Sequence, residues 1–305
     1  MFLATTEFSP LLTSLYLATV LALGICAQWT AWRMHVPAIV LLLVFGFAFG
    51  QAAPPAEYIG AEVLFAVVSL SVAVILFEGG LSLRFREIRE TGRVVVGLVT
   101  VGLMVTALLT FVAAKWILGF STPMAALCGA LLTVSGPTVV IPLLRHIRPH
   151  RRIGAIVKWE GIVNDPIGAV LAALVFKVIS DASFPATGSL AATWSIIALL
   201  RTIAIGSLLG AAAAWLVIAL FRRYLVPDYL QNAVVLAIVL VVYALSNYWQ
   251  HESGLVTVTV LGVILANQRA ASIKHVIEFK AVSYTHLRAH ETLGSISYAV
   301  FCLKR

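Results

Sequence analysis

The sequence has 305 residues, of which 61% are hydrophobic and only 11% are charged, and its mean hydropathy is +1.01. These values exclude a soluble globular domain, in which about a quarter of the residues are charged. Within a bilayer only helices and closed barrels satisfy their own backbone hydrogen bonds, and these apolar runs lack the alternation of barrel strands. The composition therefore predicts an all-α polytopic membrane protein.

The net charge of +8 does not indicate nucleic-acid binding, because the basic residues lie in short stretches between apolar runs, where they set membrane topology. The three cysteines show no paired spacing, so the sequence predicts neither a disulfide nor a cysteine metal site. We expect no cofactor.

Apolar runs of bilayer-spanning length recur along the chain. We predict nine membrane-spanning segments and the start of a tenth near Ile273. The nine lie at about 10–28, 36–53, 58–80, 94–115, 122–144, 153–179, 194–221, 231–249 and 254–268.

Positive charge alternates between the connections that join these segments. The even-numbered connections carry almost no Lys or Arg, whereas every odd-numbered connection is basic. Because Lys and Arg are retained on the cytoplasmic side, this pattern predicts a protein of the cell membrane with its N-terminus outside. The basic residues of the odd connections are Arg33, Arg84, Arg86, Arg89, Arg93, Arg145, Arg148, Arg151, Arg152, Arg222, Arg223, Arg269 and Lys274.

The third segment ends with an acidic residue, Glu78, which precedes two glycines. Glu78 has two interpretations. It is either an interfacial residue near the basic Arg84 and Arg86, or a carboxylate that points into a polar cavity. The sequence leaves both open.

The fifth segment contains two prolines, Pro137 and Pro142, and Gly136 precedes the first of them. Such a segment cannot form an unbroken helix, because each proline lacks the N–H that would bond the carbonyl four residues earlier. The carbonyls of Thr133 and Thr138 would thus lose their donors. The break predicts either a plain kink or a cavity-lining interruption of the kind that transporters use as ion sites.

The sixth segment is the most polar at membrane depth, with Glu160, Asn164 and Asp165 in one run. An ionisable group at that depth costs about 3 kcal/mol or more, so it usually has a function. Glu160 and Asn164 are four residues apart and share a helix face. Pro166 leaves the carbonyl of Ile162 without its helical donor. The alternative is a buried polar patch that only pairs helices.

The end of the chain differs from the rest. Residues 281–292 resemble a translated sequencing adapter, and the apolar run that begins near Ile273 is lost there. We therefore expect residues 1–280 to be the N-terminal part of a transmembrane domain and residues 281–305 to be a non-native tail.

Together, the broken fifth segment and the Glu160, Asn164–Asp165 run resemble the monovalent cation:proton antiporters of the sodium/proton exchanger type. The resemblance covers about residues 10–280. It implies a fold with inverted repeats and a homodimer. Segments four to six, about 94–179, would then form the first half of a mobile core, and segments one to three, eight and nine would lie on the dimerisation side.

The resemblance also assigns roles to single residues. Asp165 matches the aspartate that carries the cation and the proton, so a Na⁺-type site is expected there. Asn164 matches the asparagine that marks electroneutral members. Glu160 matches a structural glutamate, and Glu78 an acidic residue that assists the ion site.

Two positions depart from the family pattern. Ser135–Gly136–Pro137 stands where the family usually has Thr-Asp-Pro, so one carboxylate is missing. Gly161 stands where a serine often follows the glutamate. The hydroxyls of Thr133, Ser135 or Thr138 are the candidates to compensate.

The function that the resemblance implies is electroneutral exchange of a monovalent cation for H⁺, by alternating access with one carrier aspartate. Hard oxygen ligands suit Na⁺ or Li⁺, and a roomier site would admit K⁺. A potassium efflux antiporter and a cation channel are the alternatives. An intramembrane aspartyl protease would need two aspartates at membrane depth, and the sequence has only Asp165 there, so we expect a transporter and not an enzyme.

Overall fold

The computed structural model describes residues 10–34, 36–89, 91–147, 149–180 and 189–268, and all regular structure in these ranges is helical. The α-helices are α1 (Pro10–Met34), α2 (Ala38–Ala52), α3 (Pro55–Tyr58), α4 (Ala61–Leu81), α5 (Phe85–Ile88), α6 (Gly92–Gly97), α7 (Leu103–Trp116), α8 (Thr122–Leu131), α9 (Pro137–Ile147), α10 (Arg151–Ser180), α11 (Ser189–Arg222), α12 (Gln231–Trp249) and α13 (Ser253–Asn267). A π-helical turn, Leu98–Gly102, joins α6 to α7, and a 3₁₀ turn, Asp228–Leu230, precedes α12.

The predicted all-α class is confirmed, and each of the nine apolar segments contains helix. Six helices are long and apolar enough to cross a membrane. The helices in the second, fifth and ninth segments are shorter, so the count of nine crossings stays a prediction. The start of a tenth segment and the tail at 281–305 lie outside the described residues.

The described residues form two compact units, one up to Val72 and the other from Ala73 onwards. In the first unit, the ring of Tyr16 stacks on Tyr58 at 4.9 Å and contacts Phe49. The Tyr16 hydroxyl donates to the carbonyl of Ala53. These contacts surround a small core of Tyr16, Val20, Ile59 and Leu64.

The second unit is built around α13, whose residues 253–259 are all buried. Glycines let neighbouring helices approach its backbone. A β-carbon placed on Gly80 of α4 would lie 2.5 Å from the carbonyl oxygen of Thr259, and one on Gly210 of α11 would lie 2.5 Å from that of Thr257. Real β-carbons do not come this close to an oxygen. We call such a contact interlocked, because any side chain at the glycine would force the helices apart.

Buried hydroxyls complete this packing. Ser246 of α12 lies 2.7 Å from both Ser253 and Thr257 of α13. Each hydroxyl has a partner, so the polar atoms hold the two helices together without a desolvation penalty.

The interlock at Gly210 can be tested by a methyl group. Gly210→Ala should lower the melting temperature of the detergent-purified protein by several degrees, since overpacking of this kind costs about 1–3 kcal/mol. Gly97→Ala is the matched control, because a β-carbon there meets nothing within 4 Å and alanine favours helix. Equal melting temperatures for the two variants would contradict the close approach of α11 and α13.

Candidate functional site

The fifth segment is interrupted between α8 and α9, at residues 132–136. Pro137 is the first residue of α9, a position where its missing N–H breaks no helical bond. The carbonyl of Gly136 accepts the first helical bond from Val140 at 3.2 Å. Pro142 lies inside α9, which continues through it, so the segment has one break and not two. The side chain of Thr138 is outside those that the structure describes.

Two site residues from the break itself differ in what they contact. Ser135 Oγ donates to Glu160 Oε1 at 3.2 Å. Thr133 is buried, and its hydroxyl donates to the carbonyl of Ala130 at 2.7 Å. Ser135 therefore joins the break to α10, while Thr133 terminates α8.

Glu160 is the acceptor at which these elements meet. Asn164 Nδ2 donates to Glu160 Oε1 at 2.7 Å, one turn further along α10. Asp165 takes part in neither of the two bonds to Glu160. The amide of Asn164 and the hydroxyl of Ser135 thus bond Glu160. The neighbouring carboxylate of Asp165 remains available for another ligand.

Asn164 has a second feature that suits a ligand. It is only 4% exposed, and its Oδ1 has no hydrogen-bond donor among the described residues. A buried amide oxygen without a donor costs free energy, about 1–3 kcal/mol, which a bound cation or water would recover. Pro166 lies inside α10 and leaves the carbonyl of Ile162 without its usual donor one turn earlier.

Two glycines bring α10 against the break. A β-carbon on Gly168 would lie 2.9 Å from Val134 Cγ2 and 3.0 Å from Thr133 Oγ1. One on Gly161 would lie 2.9 Å from Val140 Cγ2. A serine at 161 would collide with α9, which explains the absence of the expected hydroxyl. Sequence reasoning missed Gly168, because its partners Thr133 and Val134 lie in the break, more than thirty residues earlier in the chain.

Glu78 belongs to the turn of α4 that packs beside the break. A β-carbon on the next residue, Gly79, would meet Pro137 at 3.4 Å and Ile162 Cγ2 at 3.6 Å. This turn therefore contacts both α9 and α10. Glu78 itself is partly buried.

The site offers oxygen atoms from a carboxylate, an amide, hydroxyls and backbone carbonyls. Such hard ligands suit alkali cations and protons rather than soft transition metals. The described residues contain no group of three or more His, Cys, Asp or Glu side chains that could hold a metal ion.

Long apolar helices and a polar cluster beside a broken segment are the features of a multi-pass membrane protein. The sequence profile described as "sodium/hydrogen exchanger, transmembrane" matches residues 15–287. The chain therefore belongs to the sodium/hydrogen exchanger family, whose members are transporters and not enzymes, as the sequence predicts.

Individual relatives agree with this assignment. The K(+)/H(+) antiporter NhaP of Alkalimonas amylolytica is 26% identical over 96% of this chain and 48% of that protein. Sodium/hydrogen exchanger 7 of Arabidopsis thaliana is 26% identical over 85% of this chain and 23% of that protein. The chain thus spans half or less of the length of these relatives.

A solved structure shows the same fold. The sodium proton antiporter MjNhaP1 of Methanocaldococcus jannaschii at pH 8 superposes with a TM-score of 0.77 and 20% identity. The match covers 95% of this chain and 70% of that one.

The bonds at Glu160 predict a structural role that mutation can test. Glu160→Ala removes the acceptor for Asn164 and Ser135, so the free energy of unfolding should fall by about 1–3 kcal/mol for each donor left buried, and folded yield and melting temperature should fall with it. Glu160→Gln keeps an oxygen but loses the charge-assisted bonds, so its loss should be smaller. Ser135→Ala removes only the 3.2 Å bond and should have the smallest effect. A fully folded Glu160→Gln protein with altered cation affinity would instead make Glu160 a ligand.

Proposed function

We propose that this chain is part of a secondary antiporter that exchanges a monovalent cation for H⁺, with Asp165 as the carrying carboxylate. The observation that supports the proposal best is that the hydrogen bonds of the site go to one of the two acidic side chains of α10 and not to the other. Glu160 receives the bonds from Asn164 and Ser135, and Asp165 is the adjacent carboxylate that takes neither.

Exchange follows from the cost of moving charge through hydrocarbon. A bare carboxylate is expensive at membrane depth, so the site should cross the barrier only when Asp165 holds a cation or a proton. Because both ligands compete for one carboxylate, the outward and inward movements are coupled. One positive charge replaces another, which makes the exchange electroneutral.

Asn164 supports electroneutral exchange in a second way. Its Nδ2 donates to Glu160 at 2.7 Å, a bond that a second aspartate in this position could make only with a proton. Asn164 therefore adds no further titrating carboxylate to the cycle. Its Oδ1 is the neutral ligand that would face the ion.

The remaining ligands are assigned by position. Glu78 would assist from α4, and Thr133 and Ser135 would offer lone pairs from the break. Pro137 and Gly136 would keep the break open. Helix α10 would then carry Asp165 past a partner helix that presents free backbone dipoles.

The transported ion is left to experiment, because the names of the relatives differ. The name of the Alkalimonas amylolytica protein specifies K⁺, and that of the archaeal structure specifies sodium. The oxygen ligands suit Na⁺ or Li⁺, and K⁺ fits if the site is roomier. We further propose nine crossings in this part of the protein, an outside N-terminus, a homodimer in the cell membrane and a core formed by residues 94–179.

The proposal is tested in everted membrane vesicles that contain the full-length protein. Respiration acidifies the interior, and Na⁺, Li⁺ or K⁺ is added while a pH-sensitive dye is read. We expect a cation-dependent rise in internal pH. Asp165→Asn should reduce the rate of this rise by at least tenfold at unchanged expression. The ion that gives the response at the lowest concentration is the substrate.

Asp228→Asn is the matched control. Asp228 is exposed in the 3₁₀ turn before α12, and asparagine retains the Oδ1 that accepts from Gln231, so exchange should be unchanged. Activity retained by Asp165→Asn would refute the carrier role. Flux that saturates at no cation concentration and generates a current would favour a channel.

A further inference from the structure

Residues 82–88, which follow α4 and include α5, are bonded by side chains from both α13 and α10. We call residues 82–88 the connector. From α13, Asn267 Nδ2 donates to the carbonyl of Leu83 at 2.8 Å, and Asn267 Oδ1 accepts from the backbone N–H of Phe85 at 2.6 Å. From α10, Lys158 forms an ion pair with Glu87 and donates to the carbonyl of Ser82 at 3.3 Å.

The contacts from α13 and those from α10 differ in kind. The amide of Asn267 bonds backbone atoms on both of its sides and fixes the chain where α4 is already interlocked with α13 through Gly80. The contacts from α10 are made by the ends of side chains. Lys158 and Glu87 are joined by their charged groups. The ring of Phe85 stacks on that of Trp159, with the ring centroids 5.9 Å apart. The contacts from α10 can therefore be broken without disturbing the backbone packing of α4 on α13.

The packing around the site shows the same division. On α10, a β-carbon on Gly161 would lie 2.9 Å from a methyl carbon of Val140 in α9, and one on Gly168 would lie 2.9 Å from a methyl carbon of Val134 in the break. Gly79, by contrast, would place its β-carbon at ordinary contact distances of 3.4 to 3.6 Å from Pro137 and Ile162. At Gly80, α4 is thus interlocked with α13, whereas at Gly79 it makes ordinary van der Waals contacts with α9 and α10.

The ion pair lies on the same face of α10 as Asp165. Lys158 and Asp165 are seven residues apart, so they share a face of α10, about 10 Å apart along its axis. Between them on that face is Ile162, which is fully buried in one cluster with Leu83 and Trp159. This apolar layer and the ion pair therefore lie between the connector and Asp165 along α10.

We propose that the Lys158–Glu87 ion pair is a releasable latch that keeps the connector end of the exchange site closed and must open for the ion to pass there. The latch rests on the proposed exchange function. It makes Lys158 and Glu87 determinants of which side of the membrane the site faces, although neither is placed among the ion's ligands.

The latch predicts a one-sided change in exchange kinetics. Glu87→Gln removes the charge pair and should raise the population open at the connector end. The half-saturating cation concentration on that side should fall by about two- to fivefold, the range expected for a partly exposed ion pair. On the opposite side it should be unchanged or higher. Vesicles of both orientations, prepared with the full-length protein, provide the comparison.

Controls separate a latch from a general defect. Glu62→Gln and Lys115→Gln alter exposed residues of the same types outside the connector and should leave both sides unchanged. Lys158→Gln should reproduce Glu87→Gln, and the exchanged pair Lys158→Glu with Glu87→Lys should restore wild-type values. Equal shifts on both sides would make the pair a structural contact, and unchanged values would refute the latch.

A second measurement does not depend on transport. In a protein whose native cysteines are replaced, Leu83→Cys places a thiol in the buried layer behind the latch. A membrane-impermeant maleimide should label it several-fold faster when Glu87→Gln is added. Faster labelling in a protein without exchange would support the latch and refute the proposed function, whereas Asp165-dependent exchange with unchanged labelling would refute the latch alone.

Discussion

The negative charge of Glu160 is the constraint on which this site depends. It lies within an apolar helix, where an uncompensated carboxylate would be several kcal/mol less favourable than in water. Asn164 and Ser135 provide two donors to one of its oxygens, and the second of them comes from outside α10. The same bonds that make Glu160 tolerable therefore tie the broken segment to α10 and set the position of Asp165 beside it.

Local spacing made part of this arrangement predictable. Residues four apart on a helix must meet, so Glu160 and Asn164 could be paired from the sequence alone. A proline after a glycine marks a helix start, so the break before Pro137 could also be placed. Pro142 was misleading, because a helix in a membrane can lose one bond and continue.

Contacts between distant segments could not be predicted in this way. Glu78 had two interpretations from the sequence, and the structure places its turn beside Pro137 and Ile162. The collision that excludes a side chain at Gly161 involves Val140, twenty-one residues earlier and in another helix. The approach of Asn267 to Leu83 spans most of the chain. One sequence contains no information on which surfaces face each other at such separations, so these contacts could not be predicted.

The glycine contacts also bear on how the site could move. Where a glycine admits a neighbouring backbone to within 3 Å, as at Gly80 and Gly210, two helices cannot slide without unpacking. Helix α4 is joined to α13 in this manner, and α10 packs closely on valine side chains of α9 and of the break, through Gly161 and Gly168. Between these two groups lie Gly79, at ordinary contact distance, and side chains that can part. We infer that relative motion at the least cost would occur along this surface, which lies at Gly79, the residue after Glu78.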